Sequence, residues 1–322
     1  MMDLYPIKFT PILKEKIWGG QKLKQILNKL SALPNVGESW EVSDVENDIS
    51  IVTNGALKGK SLRDLLEHFG AALIGNKNYE IFGNKFPLLI KFIDAKEDLS
   101  IQLHPNDQLA SERHNSFGKT EMWYVMQADE ESKLIIGFNR KMTPDLYLEH
   151  LNDHSLPEIL NMNSVKEGDT FFIEVGRIHA IGAGVMLAEI QQTSDITYRV
   201  YDWDRVDDLG NSRELHNDLA IDAIDFEMED NYKVVYDKAP NRSNLMVNCP
   251  YFTTSYLEVN QELSKTNTFD SFLIYMCVDG EAEIRTNQSV VHIKKGETIL
   301  LPAALKSFQI NAEHARLLEV YV

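Results

Sequence analysis

The chain has 322 residues, with 32 Lys and Arg against 49 Asp and Glu, a formal net charge of −17. This balance excludes a general nucleic-acid binder, which carries a basic footprint, and argues against adhesion to anionic membrane surfaces. A hydrophobic fraction of 43% suffices for a large core and excludes wholesale disorder, and the length predicts about two domains.

The first ten residues (MMDLYPIKFT) lack the apolar run of a signal peptide. No apolar stretch approaches the ~18 residues of a membrane span; residues 86–90 are strand-sized. The first helical signal runs over 61–69, where Leu62, Leu65, Leu66 and Phe69 share a face and Ser61 stands as N-cap. Short β-rich runs follow at 99–104, 121–126 and 133–138, punctuated by Gly, Asn and Asp. A second helix is expected after Pro144, carrying Leu146, Leu148 and Leu151, then Ile159 and Leu160. Strands are expected at 170–174, 185–191 and 196–203, and a third helix over 217–226 with Leu219, Ile221, Ala223 and Ile224. Beyond about 235 the pattern is almost entirely β. Many short strands with little helix read as barrels or sandwiches. Cys249 and Cys277 are the only cysteines and read as reduced thiols of a cytoplasmic protein, without a functional role.

One frame occurs twice. GDTFFIEVGRIH (168–179) enters a strand through a turn and ends in His179, and GETILLPAALKS (296–307) repeats that frame and ends in Ser307. Upstream, Glu121-Met-Trp-Tyr-Val and Phe272-Leu-Ile-Tyr-Met look alike, but the second lacks the acidic residue. Two related β-domains, only the first carrying ligands, would explain the echo.

Ser100, Gln102 and His104 alternate with Ile101 and Leu103. In a strand the three polar residues share one face, and Pro105 ends the strand by removing a ladder donor. The same rule puts Lys119, Glu121 and Trp123 together, and His179 follows the Gly176 turn. One or two imidazoles, a carboxylate and a neutral amide suit a borderline divalent cation such as zinc. The remaining histidines, 68, 114, 150, 154, 216, 292 and 314, read as surface residues; His150 and His154 lack the Glu that a helical zinc-protease motif requires.

From Glu189 to Tyr201 the odd positions are Glu189, Gln191, Thr193, Asp195, Thr197, Arg199 and Tyr201. If extended throughout, they form one polar row, and a hairpin could return it beside His179. Arg199 would then offer a cationic fork for an oxyanion or phosphate, with Lys91 and Lys119 as further local positive charge. No Walker-type loop, strand-linked G-x-G-x-x-G or G-x-S-x-G elbow is present, so no nucleotide cofactor is inferred.

The chain resembles the short bacterial type of class I mannose-6-phosphate isomerases, within the cupin superfamily. The resemblance rests on KIWGG (16–20), GESWEVS (37–43), FPLLIK (86–91), SIQLHP (100–105), GKTEMWY (118–124), GRIHA (176–180), QQTSDITYR (191–199) and YDWDR (201–205). It implies a mainly β fold of two cupin-like β-barrel (jelly-roll) domains: a catalytic one over 1–235 with a few inserted helices, and a degenerate one without metal over 236–322. It implies one zinc per chain, held by Gln102, His104, Glu121 and His179, with Gln102 the more variable ligand. It implies Arg199 as the principal catalytic arginine, Lys119, Glu189 and Asp195 beside it, and Lys91 with Ser100 near the substrate phosphate. Two departures stand out: Gln102-Leu-His104 replaces the His-x-His of many cupins, and Glu174 stands where the frame often has Pro.

The implied reaction interconverts D-mannose 6-phosphate and D-fructose 6-phosphate by moving a proton between carbons 1 and 2 through an enediol. Asp195, Glu189, Lys119 and a water on the metal all remain open as the base. A non-haem iron cupin oxygenase and a non-catalytic sugar-phosphate-binding cupin are the competing readings. Composition leaves the oligomeric state open.

Overall fold

The computed structural model describes residues 4–206 and 209–322. Its strands form three large sheets. The first has six strands in the order Ile12–Gly20, Val36–Val42, Leu88–Ala95, Val185–Gln192, Glu121–Ala128, Thr170–Ile173. The second has five: Tyr198–Tyr201, Ile101–Leu103, His179–Ile181, Lys133–Phe138, Leu160–Ser164. The third contains all strands from Asn244–Asn248 onward, built around Leu273–Arg285 and Ser307–Tyr321. The pairings leave these sheets open, so the jelly rolls are packed sheets rather than closed barrels. No helix among the described residues is long and apolar enough to cross a membrane.

The six-stranded sheet is the middle layer, and its sequence shows why. In Glu121–Ala128, Trp123 and Val125 join Leu134, Ile136 and Ile181 of the five-stranded sheet in one core. The alternating residues Met122, Tyr124 and Met126 join Ile274, Met276, Leu318 and Val320 of the third sheet in another. Leu187 and Ala188 of the neighbouring strand divide the same way. With both faces covered, the strand is apolar at nearly every position instead of alternating. The third sheet repeats the logic: Ile274 and Met276 face the middle layer, while Leu273, Tyr275 and Cys277 fill its own core. The N-terminal segment ties the layers, Ile7 and Leu300 exchanging backbone hydrogen bonds of 2.8 and 2.9 Å.

The internal echo is visible in the backbone. Gly168 and Gly296 both have φ +84, a conformation that favours glycine. Gly168 N–H donates to Val125 O and Gly296 N–H to Cys277 O, each at 2.8 Å. In return, Val125 N–H donates to Asp169 O and Cys277 N–H to Glu297 O, each at 2.9 Å. The register corrects the sequence alignment by one residue: Glu121 pairs with Ile173, and Leu273, not Phe272, pairs with Leu301. Glu121 therefore corresponds to Leu273. A shift of one turns a strand side chain to the opposite face, and Leu273 belongs to the core of the third sheet.

The helix at 61–69 forms as Leu62–Phe69, with a complete capping box between Ser61 and Asp64. Ser61→Ala is expected to cost about 1 kcal/mol, measured by urea unfolding monitored at 222 nm. Pro144–Asn152 forms with Thr143 as N-cap, and Leu156–Ile159 is a separate 3₁₀ turn. The third expected helix is corrected to Asn217–Ala220. Beyond it Phe226 serves packing instead, stacking on Phe138 at 5.9 Å. Helices Ala71–Ile74 and Asn76–Phe82 lacked a sequence signal because Gly70, Gly75 and Gly83 cut the helical run into pieces too short for a periodic stripe. Asp107–His114 was missed too; Asn106 caps it.

Candidate metal centre and active site

Two rows of side chains, one on each sheet of the first sandwich, define the site. On the five-stranded sheet, Arg199 lies opposite Gln102, and Gln102 opposite His179. On the six-stranded sheet, Trp40, Lys91, Glu189 and Trp123 lie in register across four adjacent strands. Glu121 sits one step along, opposite Gln191. Between the rows opens a cavity of about 330 Å³, lined by Ser100, Gln102, Lys91, Lys119, Glu189, Asp195 and Arg199 among others. The extended segment expected at 100–104 is regular only over Ile101–Leu103; His104 lies just past it, its carbonyl accepting from Gly176 N–H at 2.8 Å.

His104, Glu121 and His179 converge, their donor atoms all within 4.8 Å of one another. Each is at most 1% exposed. His104 Nε2 is 3.5 Å from Glu121 Oε2, and His179 Nε2 is 3.5 Å from Glu121 Oε1. His104 Nδ1 lies 2.9 Å from Ile196 O and His179 Nδ1 2.8 Å from Arg177 O. A carbonyl only accepts, so each Nδ1 carries the proton and each Nε2 presents a lone pair to the centre. This backbone support is how metal-ligating histidines are commonly oriented. The Gln102 amide reaches the same point, its Nε2 3.4 Å from His179 Nε2.

Electrostatics match this arrangement. Burial, aided by the Glu189 charge, pushes the Glu121 carboxyl up to about 7, against the opposing pull of Lys119 and Lys91. Burial pushes the His179 imidazole down to about 4 and also holds His104 well below the usual histidine range, with Lys119 and His179 adding to the effect on His104. Neutral imidazoles are what a cation requires. Neither Glu121 oxygen accepts a hydrogen bond among the described residues; Lys119 Nζ stands 3.1 Å from Oε2 as an ion pair and 3.0 Å from His104 Nε2. A buried carboxylate without hydrogen bonds is costly unless something charged meets it. Two nitrogen donors, a carboxylate and an amide fit a divalent cation.

Around this centre the charges alternate. Lys16 Nζ lies 3.1 Å from Glu38 Oε1, and Trp40 Nε1–H donates to Glu38 Oε2 at 2.6 Å. Lys91 donates to Glu189 Oε1 at 2.9 Å, and Trp123 Nε1–H donates to Glu189 Oε2 at 2.9 Å. Lys91 and Lys16 hold the buried Glu38 carboxyl down to about 2 despite its desolvation. The charges of Lys91 and Lys119 likewise lower Glu189 against its burial. Both oxygens of Glu189 are thus engaged.

The polar row from Glu189 to Tyr201 does not run unbroken. The chain leaves the six-stranded sheet at Gln192 and enters the five-stranded one at Tyr198. Gln191 turns inward, its Nε2 donating to Gln192 O and Ser194 O. The row is therefore split between facing sheets, with Asp195 exposed at the cavity rim and Arg199 half-buried. Arg199 donates through Nε to Ser100 Oγ at 3.3 Å and through Nη1 to Glu214 O at 2.8 Å. Lys16, Glu38, Trp40 and Arg213 also line the cavity, and sequence reasoning gave them no role. The available signal was a run of polar residues, Glu38, Ser39 and Glu41, in a strand buried at every position.

Two segments of the chain match known family models. Residues 7–136 match the family model described as phosphomannose isomerase type I, catalytic domain, and residues 242–322 match mannose-6-phosphate isomerase, cupin domain. The chain is 34% identical over 313 residues to mannose-6-phosphate isomerase ManA of Bacillus subtilis (strain 168), covering 96% of this chain and 97% of that one. It is 33% identical over 313 residues to mannose-6-phosphate isomerase of Streptococcus mutans, covering 96% of each. The crystal structure of the mannose 6-phosphate isomerase from Bacillus subtilis superposes with a TM-score of 0.89 at 32% identity, over 98% of this chain and 99% of that one.

Proposed function

The chain belongs to the type I phosphomannose isomerase family, and from this we propose that it is a zinc-dependent aldose–ketose isomerase interconverting D-mannose 6-phosphate and D-fructose 6-phosphate. One observation carries the reading. The buried His104, Glu121, His179 cluster adjoins, through Gln102 and Lys119, a cavity with five basic residues (Lys16, Lys91, Lys119, Arg199, Arg213) and three acidic ones (Glu38, Glu189, Asp195). In a chain of net charge −17, that local reversal suits an anionic substrate.

His104, Glu121, His179 and Gln102 would hold one ion per chain. Such an ion supplies a Lewis acid and a template for the carbonyl and its neighbouring hydroxyl. Arg199, fixed by Ser100 and the Glu214 carbonyl, faces the cavity with donors to spare and stabilises negative charge on the enediolate oxygen. Proton transfer between carbons 1 and 2 needs a base that reaches the carbon-bound hydrogen. Glu189 has no free oxygen, which favours a positioning role for it and leaves Asp195 at the rim and Lys119 at the centre as proton carriers. Ser100 and Lys91 are the proposed substrate-binding groups. Lys91 shares its charge with Glu189 and Glu38, Lys16 is paired with Glu38 and Arg213 with Asp202, so phosphate attraction falls most heavily on Arg199.

The catalytic unit is proposed to span 1–235 and the metal-free unit 236–322. Free Cys249 and Cys277 accord with a cytoplasmic location. A cupin oxygenase would leave Lys119 and the cation-rich cavity without purpose; elemental analysis for iron separates the two readings. The decisive experiment strips the metal and adds divalent ions back singly, following fructose 6-phosphate formation. Chelation is expected to abolish most of the activity, with zinc restoring it. Full activity in the stripped protein, or none with any ion, overturns the reading.

A further inference from the structure

The segment that delivers Lys119 and Glu121 is held from outside the catalytic sandwich. Tyr251, in the turn between Asn244–Asn248 and Thr253–Val259, donates its hydroxyl to Asp107 Oδ2 at 2.7 Å. The other Asp107 oxygen, Oδ1, accepts from Gly118 N–H at 2.8 Å and from Gln192 Nε2 at 3.0 Å. Gln192 in turn holds both backbone groups of Thr120: its Oε1 accepts from Thr120 N–H at 2.9 Å, and its own N–H donates to Thr120 O at 3.2 Å. The peptide of Lys119 is therefore gripped on both sides. Gly118 suits the grip, since a Cβ there would stand 2.8 Å from Asp107 N. The turn bearing Tyr251 is itself anchored. Cys249 N–H donates to Phe252 O at 3.0 Å, and buried Phe252 packs edge-on against Phe172, a neighbour of Met122 in the sheet.

We infer that the C-terminal unit, which lacks a metal cluster of its own among the described residues, acts as a clamp. Through Tyr251 and Asp107 it fixes the 118–121 segment, so that the Lys119 ammonium and the Glu121 carboxylate stay in register with His104 and His179. Tyr251 and Asp107 touch neither substrate nor ion and are positioning residues. A displacement of about 1 Å in a catalytic segment can cost up to a hundredfold in rate, and residues supporting metal ligands cost ten- to a hundredfold when lost.

The inference rests on the metal reading of His104, Glu121 and His179, and the test separates the two. Tyr251→Phe, Asp107→Ala, Asp107→Asn and the Tyr251→Phe/Asp107→Ala double variant are made in the full chain. For each, kcat and KM of the zinc-loaded enzyme, the dissociation constant for Zn²⁺ against a chromophoric chelator, and the melting temperature are measured. Tyr251→Phe removes one hydrogen bond and is expected to lower kcat and weaken Zn²⁺ binding about three- to tenfold, with KM and melting temperature nearly unchanged. Asp107→Ala loses more. Asp107→Asn, which keeps an acceptor for Gly118 N–H, recovers most of that loss. The double variant is no worse than Asp107→Ala, because both act through one chain of hydrogen bonds. Wild-type kcat and Zn²⁺ affinity in Tyr251→Phe, or additive losses in the double variant, overturn the clamp. If the wild type takes up no Zn²⁺, the metal reading fails, and kcat of the same variants as purified, without added zinc, decides the clamp.

Discussion

Glu121→Gln is expected to lose its metal on desalting and to fall more than about a hundredfold in kcat/KM, the largest effect of any single isosteric change in the chain. Glu121 is fully buried, and one of its oxygens faces His104 Nε2 and the other His179 Nε2, each at 3.5 Å. Glutamine fills the same volume, so packing is untouched and only the anionic donor disappears. Metal per chain by elemental analysis and steady-state kinetics read the outcome; a stoichiometric ion with full turnover would sink the assignment.

The same substitution should move stability of the stripped protein the other way. Burial and Glu189 push the Glu121 carboxyl up to about 7 from an ordinary 4.5. A carboxyl with a raised folded-state value binds its proton more tightly when folded, so its ionisation costs stability progressively from about pH 4.5 to 7, and the full cost remains above. Chelated Glu121→Gln should therefore melt higher than the chelated wild type at pH 8, the two curves meeting toward pH 4. His179, pushed down to about 4 from 6.5, loses its contribution as pH falls through that interval in both proteins, so the difference between them is read at pH 8, where the imidazole is neutral in each. The site thus holds a destabilising charge in place for its ligand, a common feature of functional sites.

What was legible in the sequence follows from the range of the forces involved. Strand alternation is local, so the inward face of Gln102, the grouping of Lys119 with Glu121, and the His179 turn could be read from neighbouring residues. The Ser61 cap is also local, four residues long. Lys16, Glu38 and Trp40 were invisible because their place depends on which strands pair: only when Val36–Val42 docks on Leu88–Ala95, and that on Val185–Gln192, does Glu38 come near Lys91. The polar row misled because period 2 was carried through Thr193 to Thr197, where Thr193 N–H donates to Pro87 O and the chain crosses between sheets. Asp107 carries no signal in the sequence, and the helix whose first turn it occupies, Asp107–His114, was itself missed. Its link to Tyr251 spans 144 positions, and no periodicity reaches that far.

Arg199→Lys is expected to lower kcat by about a hundred- to a thousandfold, the range for removing one preorganised donor aimed at developing negative charge, while KM changes less. The charge survives this substitution, so the loss isolates geometry. A guanidinium has five donors in a rigid plane. In Arg199 the Nε–H is spent on Ser100 Oγ and one Nη1–H on Glu214 O, which fixes the plane and where the remaining donors point. The backbone adds to this, Arg199 N–H donating to His216 Nδ1 at 3.2 Å and His216 N–H to Arg199 O at 2.7 Å. Burial and the nearby Arg213 charge lower its proton affinity from the usual arginine range, but a guanidinium stays charged regardless. A lysine ammonium is a point charge on a flexible stem; it can satisfy Ser100 or face the cavity, not both. If Arg199 only attracted the phosphate, the lysine would do nearly as well and KM alone would rise. A kcat within about threefold of wild type would therefore remove Arg199 from the chemical step and leave it a substrate anchor.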